Sequence, residues 1–156
     1  MTRPLALAAA ILFCAGPAVA ESHMPDLTAT GDAAAGERAF RQCQSCHVVQ
    51  TPDGEVLAGR ASKTGPNLWG VAGRTAGAVE EYDYSTLMEA AGEAGMIYDE
   101  ANFIAYVQDP SGHLKEVTGE TGRSKMSFRV RKEEDALNLY AFLAQFAPDE
   151  GAAPAE

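Results

Sequence analysis

The distribution of apolar residues along the chain predicts helices joined by ordered loops. Near the C-terminus, in a segment that begins around Lys132, four apolar residues recur at the i, i+3, i+4 and i+7 positions of one helix face: Leu139, Phe142, Leu143 and Phe146. We find no convincing alternation of apolar and polar residues, which is the pattern of a half-buried strand. The pattern therefore predicts a helical fold.

Three further helices are predicted from residues that can cap their first turns. Asp32 precedes "AAAGERAFRQC", Ser85 precedes "TLMEAAGEAG", and Asp99 precedes "EANFIAYVQD". Side chains of Asp and Ser accept hydrogen bonds from the free N–H groups at the start of a helix. Because proline disfavours helical geometry in the residue before it, we expect the third of these helices to end at Pro110.

A chain of 156 residues with 46% hydrophobic residues is enough for one compact domain. We assign this domain to residues 31–147. It includes "KTGPNLWGVAGR", a stretch rich in glycine whose apolar side chains indicate an ordered loop packed on the protein. Residues 21–30 are polar and residues 148–156 are rich in Pro, Ala and acid, so we expect both segments to be flexible.

Residues 1–20 have the features of an export signal. Arg3 supplies a positive charge, residues 5–16 are apolar, and "AVA" at 18–20 offers the small residues that a signal peptidase needs. The apolar run is shorter than the about 20 residues of a spanning helix. We therefore expect residues 1–20 to be cleaved, and the mature protein to be soluble in the periplasm rather than membrane-spanning.

The formal net charge is −10 at pH 7, which argues against binding to nucleic acid. Basic residues are nevertheless concentrated in one stretch: Lys115, Arg123, Lys125, Arg129, Arg131 and Lys132. A charge run of this kind is often only a solvated loop. In an acidic chain, the local reversal of sign favours a surface that orients the protein toward an acidic partner.

The motif with the clearest chemistry is "CQSCH" at residues 43–47. A structural zinc site would need two more ligands, but beyond the signal there is no other cysteine, and the remaining histidines are His23 and His113. A redox dithiol usually opens a helix, whose dipole lowers the thiol pKa, whereas this pair follows a predicted helix. A disulfide here would close a loop too small to stabilise the fold much. Attachment of a c-type haem is the favoured function of the motif.

If a haem is attached, its second axial ligand separates electron transfer from ligand chemistry. Met24 lies in the polar N-terminal segment, and Met88 and Met96 lie in or beside an Ala-rich helix, where packing is the usual role of methionine. Met126 lies in the polar loop "GRSKMSFRV", which offers it no helix face to pack on. Met126 is therefore the candidate ligand.

Taken in chain order, the segments "GERAF", "CQSCH", "TGPNLWGVAGR", "YDYS", "FIAYVQDP", "SKMSF" and "YAFLAQ" resemble the class I cytochromes c, most closely the bacterial cytochrome c2 and c-550 group. The resemblance implies an all-α fold of about four to five helices and ordered loops around one covalently bound haem c per chain. It also implies that Cys43 and Cys46 carry the thioethers, that His47 is the proximal iron ligand and that Met126 is the distal one.

By the same resemblance, the Pro66 carbonyl accepts a hydrogen bond from His47, and Tyr98 stands where the family often has a tryptophan that contacts an inner propionate. The residues implied around the propionates are Arg74, Tyr84, Ser85 and Ser124. Those implied in the apolar lining are Leu68, Tyr106, Val107 and Phe128. At the crossing of the first and last helices, the implied contacts are those of Gly36 and Phe40 with Leu139 and Phe142.

The resemblance implies a monomeric one-electron carrier and not an enzyme. Its implied partners present acidic surfaces: a quinol-oxidising bc-type complex as donor, and a terminal oxidase, photosynthetic reaction centre or reductase as acceptor. The candidate docking residues are Lys63, Lys115, Arg123, Lys125, Arg129 and Lys132. The alternative function is a small haem peroxidase or a gas-binding sensor, which requires that Met126 does not bind the iron.

Overall fold

The structure is a computed structural model that describes residues 27–60 and 62–146. That part of the chain contains five helices: α1 (Ala33–Phe40), α2 (Thr86–Glu93), α3 (Glu100–Gln108), α4 (Pro110–Thr118) and α5 (Glu133–Ala144). It also contains two strands, β1 (Val48–Gln50) and β2 (Val56–Gly59). The predicted helical fold with ordered loops is confirmed. The predicted signal at 1–20 and the tail at 148–156 lie outside the described residues.

Three helices begin where their caps were predicted, because each cap is a local hydrogen bond that the sequence alone can specify. Asp32, Ser85 and Asp99 each accept a hydrogen bond from the backbone N–H three residues later. The acceptor-to-nitrogen distances are 2.9 Å to Ala35, 3.3 Å to Met88 and 2.7 Å to Asn102, respectively. The first of these helices, α1, ends at Phe40 and not at Cys43 as predicted, and tighter turns follow it.

Helix α4 was not predicted, and it begins at the proline that we expected only to end α3. Helix α3 does end at Gln108, but Pro110 then occupies the first turn of α4, where its missing N–H costs no hydrogen bond. Asp109 caps this helix by accepting from the Gly112 N–H at 3.1 Å. The first part of the basic stretch is therefore helical, and the helix closes at Gly119, whose φ of 70° suits glycine.

The structure also contains a short hairpin that the sequence pattern did not indicate. Strand β1 pairs with β2 in antiparallel register, with Val48 opposite Gly59 and Val49 opposite Ala58. Both Val48 and Val49 are buried, so β1 shows no alternation of apolar and polar residues for sequence reasoning to detect. The hairpin directly follows the "CQSCH" motif and anchors its C-terminal side.

Helices α1 and α5 cross at a close approach that requires glycine. A Cβ atom built on Gly36 would stand 1.9 Å from the backbone oxygen of Asn138 and 2.7 Å from the Cβ of Phe142. Next to this point the rings of Phe40 and Phe142 lie 5.4 Å apart, and Leu139 is buried. The crossing positions the end of α1, and hence the motif that follows it.

The described part of the segment expected to be flexible is anchored to the fold. Thr30 donates from its backbone N–H and from its hydroxyl to the Glu100 carboxylate, at 2.6 and 3.0 Å. The Leu27 side chain lies against Gly73. Among the described helices, we find none that is long and apolar enough to cross a bilayer.

Candidate functional site

One cavity brings the "CQSCH" motif and the Met126 loop together. Cys43, Cys46, His47 and Met126 all contribute to its wall. Every other residue expected around the cofactor also lines it: Pro66, Leu68, Arg74, Tyr84, Ser85, Tyr98, Tyr106, Val107, Ser124 and Phe128. Of these, Phe128 is 45% exposed and thus lies at the rim rather than in the buried wall.

The two cysteines are held in consecutive turns after α1. The N–H of Cys43 donates to Phe40 O at 2.8 Å, and the N–H groups of Cys46 and His47 donate to Cys43 O at 3.1 and 3.0 Å. Both thiols are free. Burial, and secondarily the charge of Cys46, raises the pKa of Cys43 to about 11. A redox-active dithiol needs a lowered thiol pKa, so the site does not favour the dithiol alternative.

The His47 ring is fixed in the form that binds a metal. Its Nδ1 lies 2.9 Å from the Pro66 carbonyl oxygen, which can only accept, so Nδ1 carries the proton and Nε2 keeps its lone pair. Burial lowers the pKa of His47, the Pro66 hydrogen bond opposes this shift, and Arg74 adds to it. The neutral imidazole is thus the stable form, with Nε2 available to a metal.

The loop that carries Met126 is attached to α3 and α4 through Ser124. The Ser124 hydroxyl lies 2.9 Å from the Tyr106 hydroxyl and accepts from the Met126 N–H at 3.2 Å. The Ser124 N–H donates to the Ser111 hydroxyl at 3.0 Å. Burial raises the pKa of Tyr106 to about 12, although the bond to Ser124 opposes it, so the phenol stays protonated and can donate.

Arg74 is a partly buried cation whose described partners are carbonyl groups. Its two terminal nitrogens donate to Trp69 O at 3.0 Å and to Asn67 O at 3.1 Å. Burial lowers its pKa, and neither ion pair found in the described residues involves it. A partly buried guanidinium without a carboxylate on a cavity wall fits a ligand that brings its own negative charge.

The residues present therefore fit a haem. Two free thiols, a neutral imidazole and a thioether face one largely apolar cavity, and Arg74 offers the charge that haem propionates require. This donor set does not fit a closed metal-ion site, because the described residues contain no group of three or more His, Cys, Asp or Glu side chains suited to a metal.

Sequence reasoning missed two residues that organise the site. The Asn67 side chain joins the loop that carries Pro66 to β1, since it accepts from the Gln50 N–H at 3.0 Å and donates to Gln50 O at 2.7 Å. Met88 packs in the core as expected, but it also lines the cavity, and the Tyr98 hydroxyl donates to its sulfur at 3.4 Å. "GPNL" gave a local signal for Asn67, whereas nothing in the sequence pointed to the bond between Tyr98 and Met88.

The six candidate docking residues are all exposed, but two of them form ion pairs. Lys125 lies 2.5 Å from Asp83 Oδ2, and Arg129 lies 2.8 Å from Asp109 Oδ1. The four others appear in no ion pair among the described residues: Lys63, Lys115, Arg123 and Lys132. The free basic surface is therefore smaller than the sequence suggests.

No family model matches the chain. Individual relatives do: the chain is 51% identical over 122 residues to cytochrome c2 of Rhodovulum adriaticum, an alignment that covers 78% of this chain and 97% of that protein. It is 44% identical over 138 residues to cytochrome c-550 of Paracoccus versutus, covering 85% of this chain and 88% of that protein.

The fold is also similar to a solved structure of cytochrome c2 from Rhodobacter sphaeroides. The TM-score is 0.73 at 50% sequence identity, and the match covers 75% of this chain and 97% of that one. The similarity therefore spans almost the whole of that protein.

Proposed function

The chain belongs to the class I cytochromes c, in the cytochrome c2 and c-550 group, and on that premise we propose that it is a periplasmic carrier with one covalently bound haem ligated by His47 and Met126. Members of this family are haem-containing electron carriers and not enzymes. The observation that carries the finer proposal is that two free thiols, the His47 ring and the Met126 loop meet at one cavity.

When bound, the haem supplies an iron centre that alternates between the ferrous and ferric states by one electron. The chain's own residues hold this centre. Cys43 and Cys46 supply the sulfurs of two thioether bonds, and His47 offers Nε2 because its Nδ1 proton is committed to Pro66. The Met126 thioether would complete the ligands of the iron, and this would exclude substrates and gases from it.

The wall of the cavity suits fast electron transfer because it is largely apolar and several of its polar groups are already held by hydrogen bonds, as Tyr106 is to Ser124. Arg74 is held by two backbone carbonyls and presents a fixed positive charge. We assign to it, with Tyr84 and Ser85, the role of stabilising the propionates.

For the route of electrons, we propose a quinol-oxidising bc-type complex as donor, and a terminal oxidase, reaction centre or reductase as acceptor. The protein works as a soluble monomer after removal of residues 1–20. Docking uses the exposed cations near the Met126 loop, together with the exposed Lys63, which precedes Thr64 of the cavity wall. Complementary charge of this kind mainly accelerates encounter and fixes orientation.

The covalent proposal is tested on protein purified from a periplasmic fraction. Its mass should equal that of residues 21–156 plus one haem, and the colour should stay with the chain through acid-acetone extraction. A double variant, Cys43→Ser with Cys46→Ser, can form no thioether bond and serves as the matched control, which should lose its colour on extraction. A haem-free mass for the unmutated protein would overturn the proposal.

The axial ligation is tested by near-infrared absorption of the oxidised protein. The weak band of a methionine bound to ferric iron should be present, should disappear in Met126→Leu and should persist in Met88→Leu. If the unmutated protein lacks the band and binds carbon monoxide readily at neutral pH, the protein is a haem enzyme or a sensor instead.

A further inference from the structure

One ion pair connects the loop of the distal ligand to a loop on the other side of the cavity. The Lys125 ammonium lies 2.5 Å from Asp83 Oδ2 and also donates to the Asp83 backbone carbonyl. Lys125 is the residue before Met126. The side chain of Asp83 is 95% exposed and that of Lys125 is 43% exposed, so solvent and other proteins can reach the pair.

The contact extends to the proximal side of the cavity. The Tyr82 hydroxyl donates to the Thr64 carbonyl oxygen at 3.0 Å, and the Lys125 ammonium lies 6.0 Å from the centre of the Tyr82 ring. Thr64 precedes the Gly65–Pro66 segment that supports His47. We call these four residues, Thr64, Tyr82, Asp83 and Lys125, the rim bridge. Three of them line the cavity itself: Thr64, Tyr82 and Lys125.

Two of the candidate docking residues pair with aspartates, Lys125 with Asp83 and Arg129 with Asp109, and the two aspartates differ in their other contacts. The Asp109 carboxylate, which pairs with Arg129, also caps α4 by accepting from Gly112, so it has a structural role of its own. Within the described residues, the Asp83 carboxylate is hydrogen-bonded to Lys125 alone. A fully solvated pair contributes little to stability, and its loss leaves no buried group unpaired.

We propose that Asp83 is an internal competitor for Lys125: it occupies this cation in the free protein, and a carboxylate of the acidic partner takes its place on docking. The inference rests on the proposed carrier function and adds a regulation of its docking surface. The exchange is balanced, since one carboxylate replaces another at the ammonium and no charge is buried alone. It also frees the Met126 loop from the Asp83 carboxylate, so docking shifts the rim bridge toward an open form in which the bond between Tyr82 and Thr64 remains.

If Asp83 competes for Lys125, neutralising Asp83 should affect binding more than neutralising another exposed aspartate. A general effect of surface charge would make the two substitutions equal. Neutralising Asp83 removes the negative charge that competes for Lys125, while the bond to the Asp83 backbone carbonyl remains, and it should strengthen binding to an acidic surface. Neutralising Asp53, which is equally a solvent-exposed aspartate but has no ion pair in the described residues, changes the net charge by the same amount without freeing a cation. Asp53→Asn is therefore the matched control for Asp83→Asn.

The experiment measures the affinity of the haem-loaded protein for poly-L-glutamate by calorimetry at several salt concentrations. We expect Asp83→Asn to bind about two- to fivefold more tightly than Asp53→Asn, the range set by removal of one exposed ion pair. Lys125→Gln should cost little affinity in the unmutated protein and should abolish the gain in the Asp83→Asn background. An unchanged near-infrared band verifies that Met126 ligation is intact in each variant.

The possible failures are distinct. If the unmutated protein binds poly-L-glutamate in a salt-dependent manner but Asp83→Asn equals Asp53→Asn, the competitor inference is wrong while the docking proposal stands. If no variant binds the polymer at low salt, the docking part of the proposed function is itself overturned.

Discussion

Gly65 lies directly against the imidazole of His47. A Cβ atom built on Gly65 would stand 2.4 Å from Cε1 and 2.7 Å from Nδ1 of the ring. The Gly65 N–H donates to Cys46 O at 2.8 Å, so the backbone is held in this position. Glycine is required here by the space that the ring occupies, and not by a left-handed backbone.

Replacement of this residue, Gly65→Ala, should displace the His47 ring and weaken its hydrogen bond to Pro66. Overpacking of this kind costs about 1–3 kcal/mol. In the reduced protein, the NMR signal of the His47 Nδ1 proton should shift or exchange faster with solvent. Gly95→Ala provides the control, because Gly95 has a φ of 84° and open space around it. That variant should lose about 1–2 kcal/mol through backbone strain and leave the His47 signal unchanged.

The close crossing of α1 and α5 predicts that Gly36→Ala strongly destabilises the protein. An added methyl group would meet the Asn138 carbonyl of α5, which cannot move without moving the helix. We expect a loss of about 3 kcal/mol or more in the free energy of unfolding in guanidinium, at the upper end for overpacked sites. Ala34→Gly on the exposed face of α1 should cost only about 1 kcal/mol, through helix propensity. Equal costs for the two variants would contradict the close crossing.

The hydrogen bond between Tyr98 and Met88 predicts that replacing the acceptor destabilises the protein more than replacing the donor. Both side chains are buried, and burial raises the pKa of Tyr98 well above its usual value, so the phenol remains a donor. Tyr98→Phe removes the donor and should lower the free energy of unfolding by about 0.5–1.5 kcal/mol. Met88→Leu leaves a buried hydroxyl without its acceptor and should cost about 1–3 kcal/mol.

The double variant decides this prediction. Adding Tyr98→Phe to Met88→Leu removes the unpaired hydroxyl, so the double variant should be no less stable than the Met88→Leu variant. Chemical unfolding of the haem-loaded proteins measures all three. If the costs simply add, the Tyr98 hydroxyl has another partner when the haem is bound.

His113 predicts a pH dependence of stability. Its Nε2 lies 3.2 Å from Asn102 Oδ1, and burial lowers its pKa below 6.5, although Glu116 and Asp99 act in the opposite direction. The folded protein therefore binds fewer protons than the unfolded chain near pH 6. Stability from this group is complete above pH 6.5 and is lost as the pH falls through that value toward the folded pKa.

The measurement compares the melting temperature of the unmutated protein with that of His113→Gln between pH 7.5 and 5.5. Glutamine can still donate to Asn102 but does not titrate. On acidification the melting temperature of the unmutated protein should fall more than that of His113→Gln. The change in the difference between the two melting temperatures should therefore grow as the pH falls. A constant difference across this range would contradict the assignment to His113.

The sequence predicted the parts of this protein that local hydrogen bonds determine. Asp32, Ser85 and Asp99 begin helices because their side chains bond to N–H groups three residues later. Helix α4 was missed because Pro110 was read as an end, although the same residue is well suited to a first turn. The β1–β2 hairpin was missed because burial on both faces of β1 removes the alternating pattern.

By itself the sequence determined the "CQSCH" motif, the candidate ligand Met126 and the family, since these depend on residue type and spacing. Only the tertiary structure decided which cations form ion pairs, which methionine accepts the hydrogen bond of the Tyr98 hydroxyl and which loops meet at the cavity rim. The physical reason is distance along the chain. Lys125 and Asp83 are 42 residues apart and Tyr106 and Ser124 are 18 apart, so these bonds exist only once the loops have folded around one cavity.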